Sequence, residues 1–536
     1  MNSTQIRYSL TTLLFALISF SQFFCTSPEA VGKLDGAIDS RQIRAHLKIL
    51  SDDVMEGRLP DSKGGELAAK YIASQFEEAG LMPAVGNSSY FQTVGLIGVK
   101  PTLAFTLRGA GRFWRLAQGT EFLGRFHSDQ PNIALRNLEV VFVGYGIDAP
   151  KFNWNDYANA DVTGKMVFTL LNEPPSQDST FFAGDALTPY GTLEYKIKEA
   201  ARKGAVAIVA IHSPRLTPLP WRTIQNTLGQ ESFLLQNPQD TTFAAFEALI
   251  NEQVARELFA ATGNDWDEMI RRAGTGDFDG TELSLRASAF ATNELRRLDS
   301  PNVIAKLEGR DAELRKECII LTAHYDHLGT RASNLNDGIF NGAIDNASGV
   351  ATLIEIAQAF AKIPFKPRRT ILFMATTAKE GGRLGSEHYI ANPLYPLVKT
   401  MANINLDGVS VWERKRELAV VGTLDSRLES VIERAAKELS ISISRQHASE
   451  QHALFRSDQA SFAEVGVLAI LIDSGNPFGK KTDSQVSSRF RDYFETTFHT
   501  VYDEYDPSWS LLGTVQVAQF ALRTALYLAN ADSAPK

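Results

Sequence analysis

The chain has 536 residues, of which 44% are hydrophobic and 22% are charged. This length and composition predict a globular protein of two or three domains with well-buried cores. The formal net charge is −8, and no block of basic residues could follow a phosphate backbone, which argues against nucleic acid as a partner.

The N-terminus has the pattern of a secretory signal over residues 1–25. Arg7 is followed by an apolar run from Leu10 to Phe24, which is too short to cross a bilayer comfortably, and a buried helix is the alternative. No later segment reaches transmembrane length, so we expect an exported protein, periplasmic or extracellular. Cys25 resembles the acylated cysteine of bacterial lipoproteins and would anchor the chain to a membrane, but two phenylalanines precede it where that motif has small residues.

The first half of the mature chain predicts two regions. Residues 36–137 begin with two amphipathic helices, the second ending near Gly80, and are interpreted as the N-terminal part of the main domain. Residues 138–285, called the accessory section below, contain strands (KMVFTLL, AVAIVAIH), the helix TLEYKIKEAARKG and a long polar stretch from residue 262. Its His212 is isolated, so we assign it no role and interpret the section as an inserted domain.

After residue 300 strands and helices alternate, which is the pattern of a doubly wound α/β sheet. The predicted strands are CIILTAHYD, RTILFMATT, MANINLD and VLAILID, and the predicted helices are NASGVATLIEIAQAFAKI and SWSLLGTVQVAQFALRTALYLAN. Residues 286–536 are therefore interpreted as the main part of an α/β domain.

Five residues in this part suit a metal site: His324, Asp345, Glu380, Asp407 and His499. His324, Glu380 and Asp407 lie at or just past the carboxyl ends of predicted strands, where open α/β sheets gather functional groups. By itself Asp345 would be interpreted as the N-cap of a helix, and His499 as a loop histidine. Together, two histidines and three carboxylates suit zinc, and five ligands exceed the four of one tetrahedral site, which predicts two ions sharing a carboxylate.

Six motifs follow one another in the order HYDHLG, GAIDNASG, AKEGGRLGS, NINLDG, FRSDQASFAEVG and HTVYDEYDP. They resemble the successive motifs of the co-catalytic zinc aminopeptidases, which include bacterial leucyl aminopeptidases and relatives such as the transferrin receptor. The accessory section resembles the protease-associated domain inserted in that family. The resemblance covers roughly residues 36–530 and implies a zinc-peptidase-like mixed sheet flanked by helices, with an inserted β-rich domain.

The resemblance also implies a role for each ligand. His324 and Asp407 would bind one zinc ion, Glu380 and His499 the other, with Asp345 bridging the two. Asp326 would accept the second ring N–H of His324 and fix the orientation of the ring, although it is also an ordinary turn residue. The peptide bond after the bridging aspartate is often cis in this family.

Lys379 is the difference from the resembled family that affects the expected catalytic chemistry. In the resembled family a glutamate at this position, directly before the ligand glutamate, takes a proton from the attacking water. A protonated lysine cannot do so, whereas a lysine whose pKa is lowered by burial and by two dications could act as the base. Ile344, in place of an acidic residue, and Gln459, in place of a histidine, are smaller departures.

These features predict an aminopeptidase that hydrolyses N-terminal residues from peptide substrates with two zinc ions. Because of Lys379, the alternative is a metal-binding, peptidase-like protein with impaired turnover. Cyclisation of N-terminal glutamine on the same fold is favoured less, since five ligands favour two ions over one.

Overall fold

The computed structural model describes residues 36–532 except 179, 183, 185–187, 218, 230, 239–242, 332–336, 365, 423–424, 445–456 and 474–488. The expected secretory signal over residues 1–25 and the expected anchor at Cys25 lie outside the described residues. Among the helices that are described, none combines the length and apolar character needed to cross a membrane.

The described α-helices begin and end as follows: α1 Ser40–Leu50, α2 Lys63–Glu78, α3 Leu193–Arg202, α4 Trp221–Leu228, α5 Glu252–Ala261, α6 Trp266–Ala273, α7 Ser348–Ala361, α8 Leu384–Ala391, α9 Ser426–Glu438, α10 Gln459–Glu464 and α11 Leu512–Asn530. Side chains explain several of these starts, because Asp39 accepts from the N–H of Arg41 before α1, and Ser62 accepts from the N–H of Gly65 before α2. Gly80, with φ of 74°, follows the end of α2, which confirms the predicted two-helix opening.

The described strands are β1 Met82–Pro83, β2 Phe91–Gly109, β3 Arg112–Leu116, β4 Phe122–Phe126, β5 Asn132–Phe142, β6 Asp148–Ala149, β7 Trp154–Asn155, β8 Met166–Leu170, β9 Ala207–His212, β10 Ser232–Leu235, β11 Phe246–Asn251, β12 Thr281–Leu307, β13 Cys318–His324, β14 Thr370–Thr376, β15 Thr400–Asn405, β16 Glu417–Gly422, β17 Ser442–Ser444 and β18 Ala469–Asp473. The four strands predicted after residue 300 are confirmed as β13, β14, β15 and β18.

Most of these strands form one mixed sheet, in the order β17-β16-β18-β15-β13-β14-β12-β5-β8-β9-β11-β4. β13 pairs in parallel with β14 and β15, and β15 pairs in parallel with β18. β12 is antiparallel to β14, and β16 is antiparallel to β18. A mixed sheet flanked by helices confirms the predicted α/β fold class.

Two long strands connect the halves of this sheet. β2 and β12 pair antiparallel from Phe91 opposite Val303 to Arg108 opposite Arg286. β12 also pairs with β14 from Val303 to Leu307 and with β5 between Thr281 and Thr292. The strands after residue 300 and the strands of the accessory section therefore share one hydrogen-bonded sheet.

The buried side chains form two large hydrophobic cores. One includes residues of α1, α2, α7 and α11 with strands β13, β14 and β15, and the aromatic rings of Phe76 and Phe373 meet in it. The other runs from Leu103 to Ala291 and so includes residues on both sides of the accessory section. α11 is buried from Gly513 to Ala529, as expected for a helix that is apolar on nearly every side.

Candidate metal centre

Three of the predicted ligands lie at the carboxyl edge of the parallel strands. β13 ends at His324, Asp407 follows the last residue of β15 by two positions, and Glu380 follows the last residue of β14 by four. Parallel strands present their carboxyl ends at one edge, so chain positions that are far apart meet there.

Loops on the other side of this edge supply the remaining two ligands. Asp345 lies in the helical turn Ala343–Ala347 before α7, and His499 follows the turn Tyr493–Thr497. Among the residues that the structure describes, no side chain caps α7, and its N-cap residue is Ala347, so the alternative interpretation of Asp345 as the N-cap is wrong. The Asp345–Asn346 peptide bond is cis, as the resemblance implied.

Asp345 stands between two groups of ligands and turns one carboxylate oxygen to each. Its Oδ1 lies 3.2 Å from His324 Nε2, which is also 3.3 Å from Asp407 Oδ1. Its Oδ2 lies 2.9 Å from His499 Nε2, which is also 3.4 Å from Glu380 Oε2. The five predicted ligands are thus brought together as two groups that share Asp345.

His327 joins the second group and was not predicted. Its Nδ1 lies 3.8 Å from Glu380 Oε1, and its ring centroid is 5.5 Å from that of His499. The side chain is fully buried, and neither ring nitrogen has a hydrogen-bond partner in the described part of the chain. The available signal was a second histidine three residues after His324 in HYDHLG.

Asp326 holds the loop that carries Lys379 and Glu380. Its carboxylate oxygens accept hydrogen bonds from the backbone N–H groups of Lys379 at 3.0 Å and Glu380 at 3.2 Å. The ring nitrogen Nδ1 of His324 lies 3.1 Å from the Asp326 carbonyl oxygen and 3.7 Å from its carboxylate. The backbone of Asp326 therefore contacts the histidine more closely than the predicted carboxylate does.

Lys379 reaches into the middle of the ligand carboxylates. Its Nζ lies 3.2 Å from Glu380 Oε1, 3.5 Å from Asp407 Oδ2 and 3.7 Å from Asp345 Oδ1. Burial by itself would lower the pKa of Lys379, but the attraction of these three carboxylates raises the pKa well above its ordinary value. In the metal-free chain Lys379 is an ammonium ion that neutralises part of the ligand charge.

The ligands show the complementary shifts. Burial would raise the pKa of Asp345 and of Glu380, but the nearby Lys379 ammonium and the histidines hold both well below the usual range. Burial would lower the pKa of His499, but Glu380 and Asp345 raise it to about 9. The metal-free site is therefore a network of charged, mutually compensating groups.

Arg58 braces the two loops that carry His324 and Asp345. Its buried guanidinium donates hydrogen bonds to four carbonyl oxygens, those of Leu50, Tyr325, Asn341 and Gly342. Burial lowers the pKa of Arg58 to about 10, so the group remains charged at neutral pH. On the other side of Asp345, the Asp503 carboxylate accepts from the N–H groups of Ile344 and Asp345.

We expect Arg58→Met to lower the free energy of unfolding by about 3 kcal/mol or more, because buried carbonyl oxygens lose a charged donor. Urea titration of the metal-free chain would measure the loss. Arg41→Met is the matched control, since the Arg41 side chain is 89% exposed and bonds only to Asp39 among the contacts described. A loss below about 1 kcal/mol for Arg58→Met, on the scale of ordinary surface substitutions, would contradict the bracing role.

A cleft opens beside Glu380 and His327. Its apolar wall is formed by Leu59, Leu228, Phe233, Leu249 and Leu328. The charged lining residues include Arg125 and Glu247, which are paired at 2.5 Å. Burial would raise the pKa of Glu247, but Arg125 and His127 lower it to about 2. Several of these lining residues come from the accessory section, so both parts of the chain shape the approach to the ligands.

Residues 302–522 match the sequence profile described as Peptidase family M28. Over these residues the chain is similar to peptidase family M28. The aminopeptidase YwaD of Bacillus subtilis (strain 168) is 32% identical over 154 residues, which cover 28% of this chain and 30% of that protein. A probable zinc metalloprotease of Pyrenophora teres f. teres (strain 0-1) is 38% identical over 109 residues, 20% of this chain and 22% of that protein. The alignments thus span less than a third of these relatives.

Two solved structures share the fold over most of the chain. The aminopeptidase from Aneurinibacillus sp. strain AM-1 superposes with a TM-score of 0.51 at 20% identity, covering 93% of this chain and 96% of that one. A peptidase M28 precursor from Shewanella amazonensis SB2B gives a TM-score of 0.51 at 17% identity, covering 95% and 98%. The fold of this chain, including the accessory section, is thus also found in these two solved structures.

Proposed function

We propose that this chain is an exported zinc aminopeptidase that holds two zinc ions and hydrolyses peptides from their N-termini. The observation that carries the proposal is Asp345, whose two carboxylate oxygens face His324 and His499 separately. A carboxylate shared by two groups of ligands is the arrangement expected for two neighbouring ions. The M28 segment and the relatives named as an aminopeptidase and a zinc metalloprotease support the same function.

The donor atoms fit zinc. Both ring nitrogens of His327 are buried and make no hydrogen bond within the described part of the chain. Such unpartnered atoms cost roughly 1–3 kcal/mol each, and zinc bound by oxygen and nitrogen donors would remove that cost. His324 and Asp407 would hold one ion and Glu380 and His499 the other, with Asp345 shared and His327 beside the second group.

Bound zinc would polarise the substrate carbonyl and make water a stronger nucleophile. Asp326 would keep Lys379 and Glu380 in position through their backbone N–H groups. The Lys379 ammonium, surrounded by carboxylates, cannot accept a proton from the attacking water. The proposed enzyme therefore lacks a general base at this position, and we expect slow turnover. The apolar wall of the cleft suits the side chain of the substrate's first residue.

A metal-binding protein without turnover is the second candidate, and the contacts of Lys379 with three carboxylates favour it. Hydrolysis of aminoacyl p-nitroanilides by the zinc-loaded full chain separates the two. The enzyme is expected to release p-nitroaniline, to lose activity with a chelator, to recover it with zinc and to reject N-acetylated substrates. A rate equal to background, with zinc bound by elemental analysis, would leave only the second candidate.

We also propose that residues 1–25 direct export, that Cys25 carries a lipid, and that the accessory section is a protease-associated domain between residues 36–137 and 286–536. The second core supports the last of these proposals, because the accessory section has a hydrophobic core distinct from the first one, and flanking residues from Leu103 to Phe126 and from Ala287 to Ala291 add to it. Mass spectrometry of the chain purified from its native host tests the first two proposals, through the mass of the N-terminal peptide and of any acyl group.

Zinc binding is expected to release protons at pH 7. His499 has a pKa of about 9 in the metal-free chain, so it carries a proton that zinc must displace, and zinc affinity rises with pH up to about that value. Calorimetric titration with zinc in buffers of different ionisation enthalpy would count the protons. His499→Ala should release about one proton fewer, whereas an equal count in both chains would contradict the shift.

A further inference from the structure

The accessory section contacts one of the ligands directly. Thr227, in the last turn of α4, places its Oγ1 2.6 Å from Nδ1 of His499, although 272 positions separate the two residues. The neighbouring Asn226 donates from Nδ2 to the carbonyl oxygen of His499 at 2.8 Å. Both the ring and the backbone of His499 are thus held by a single helix of the accessory section.

The hydroxyl of Thr227 determines which ring nitrogen of His499 carries the hydrogen. This hydroxyl has one hydrogen and donates it to the carbonyl oxygen of Thr223 at 3.0 Å. It can therefore only accept from His499, so Nδ1 is the N–H donor. The lone pair of the neutral ring is then on Nε2, the nitrogen that faces Asp345 at 2.9 Å and Glu380 at 3.4 Å.

The backbone of His499 needs this support as well. Its φ is 55°, in the left-handed region that costs a side chain with a Cβ free energy. Asn226, which bonds its carbonyl oxygen, is fixed in turn by Arg331, whose Nη1 donates to Asn226 Oδ1 at 2.9 Å. Arg222, one helical turn before Asn226, donates to the carbonyl oxygen of Thr496 at 3.4 Å. α4 therefore contacts the His499 loop along one face.

We propose that Thr227 is a positioning residue which orients His499 as a zinc ligand, so that the accessory section completes the metal centre. This inference rests on the proposed zinc site. An acceptor that fixes the tautomer and orientation of a ligand histidine commonly changes metal affinity by roughly 10–100-fold when it is removed. The accessory section is then a structural part of the active site as well as a wall of the cleft.

Three variants of the full chain test the role of the hydroxyl. Thr227→Val removes it and keeps the shape of the side chain, and Thr227→Ser keeps it. Thr524→Val in α11 is the matched control, because the Thr524 hydroxyl also donates to the carbonyl oxygen four residues earlier, at 2.9 Å, and lies in another helix. Zinc dissociation constants would be measured by competition with a chromophoric chelator.

We expect Thr227→Val to weaken one zinc site by roughly tenfold or more, with Thr227→Ser and Thr524→Val close to wild type. A helix that was merely loosened would respond equally to the serine and valine variants, so rescue by serine identifies the hydroxyl. Unchanged zinc affinity in Thr227→Val, or an equal loss in Thr227→Ser, would overturn the inference while the proposed function stands. A wild-type chain that binds no zinc would overturn both.

Discussion

Replacing Lys379 with glutamate is expected to raise kcat for aminoacyl substrates by roughly 10²–10⁴-fold, the range typical of general-base catalysis. Lys379 Nζ lies 3.2 Å from Glu380 Oε1 and 3.5 Å from Asp407 Oδ2, so a carboxylate at this position is next to the ligands. The exchange of a cation for an anion also changes the charge of the site by −2, which favours the binding of zinc dications.

Lys379→Met is the control, because methionine has a similar unbranched stem but neither charge nor a basic nitrogen. We expect its kcat to be within a few-fold of wild type when zinc is saturating, since an ammonium contributes no base. A fall of roughly 100-fold or more would show instead that the amine is neutral in the loaded enzyme and acts as the base. Elemental analysis of each variant separates an effect on chemistry from an effect on zinc content.

The positions of the ligands could be predicted because they follow from the predicted strands and from the histidine and carboxylate residues near the ends of these strands. Buried strands such as β13 and β14 can be recognised in a sequence as short apolar runs. His324 and Glu380 come at or just after the carboxyl ends of these strands. The sharing of Asp345 by two groups was expected from the number of ligands and from the family resemblance, and the distances agree with it.

The partners of these ligands could not be predicted, because they depend on how distant segments pack. Arg58 bonds carbonyl oxygens that are up to 284 positions away, and Thr227 meets His499 across two parts of the chain. Every residue has a backbone carbonyl oxygen, so a sequence does not show which of them accept a side-chain hydrogen bond. A threonine on a short helix is too common to indicate a contact with a metal ligand. His327 had a signal in its motif, but only the fold shows that its ring turns towards Glu380.

Helix α6 shows a different limit. It lies in a stretch that was interpreted as polar, and its two ends are rich in charged residues. Trp266 and Met269 are nevertheless buried against the second core, while the charged side chains face outwards. Ile270 and Ala273 pack on the same core, so the four apolar residues follow the i, i+3, i+4, i+7 spacing of an amphipathic helix. The helical signal was therefore present in the sequence, but the polar composition of the whole stretch outweighed it.

Replacing Asp345 with asparagine is expected to remove both zinc ions, whereas Asp407→Asn should remove one. Asp345 belongs to both groups of ligands and Asp407 to the first only. An amide keeps the size of the side chain but loses the charge and one acceptor oxygen. We expect the affinity for each ion to fall by more than roughly 100-fold in Asp345→Asn, beyond the range seen for indirect partners, with hydrolysis at the background rate.

Asp458→Asn provides the matched control in the same neighbourhood. Asp458 is fully buried, its Oδ2 accepts from the hydroxyl of Thr376 at 2.6 Å, and it belongs to neither group of ligands. Burial raises the pKa of Asp458, and asparagine keeps the size of the side chain and an oxygen that can accept from the Thr376 hydroxyl. If the Asp345 and Asp407 variants each lost a single ion, the two groups would not share Asp345, and the shared-carboxylate site would have to be abandoned.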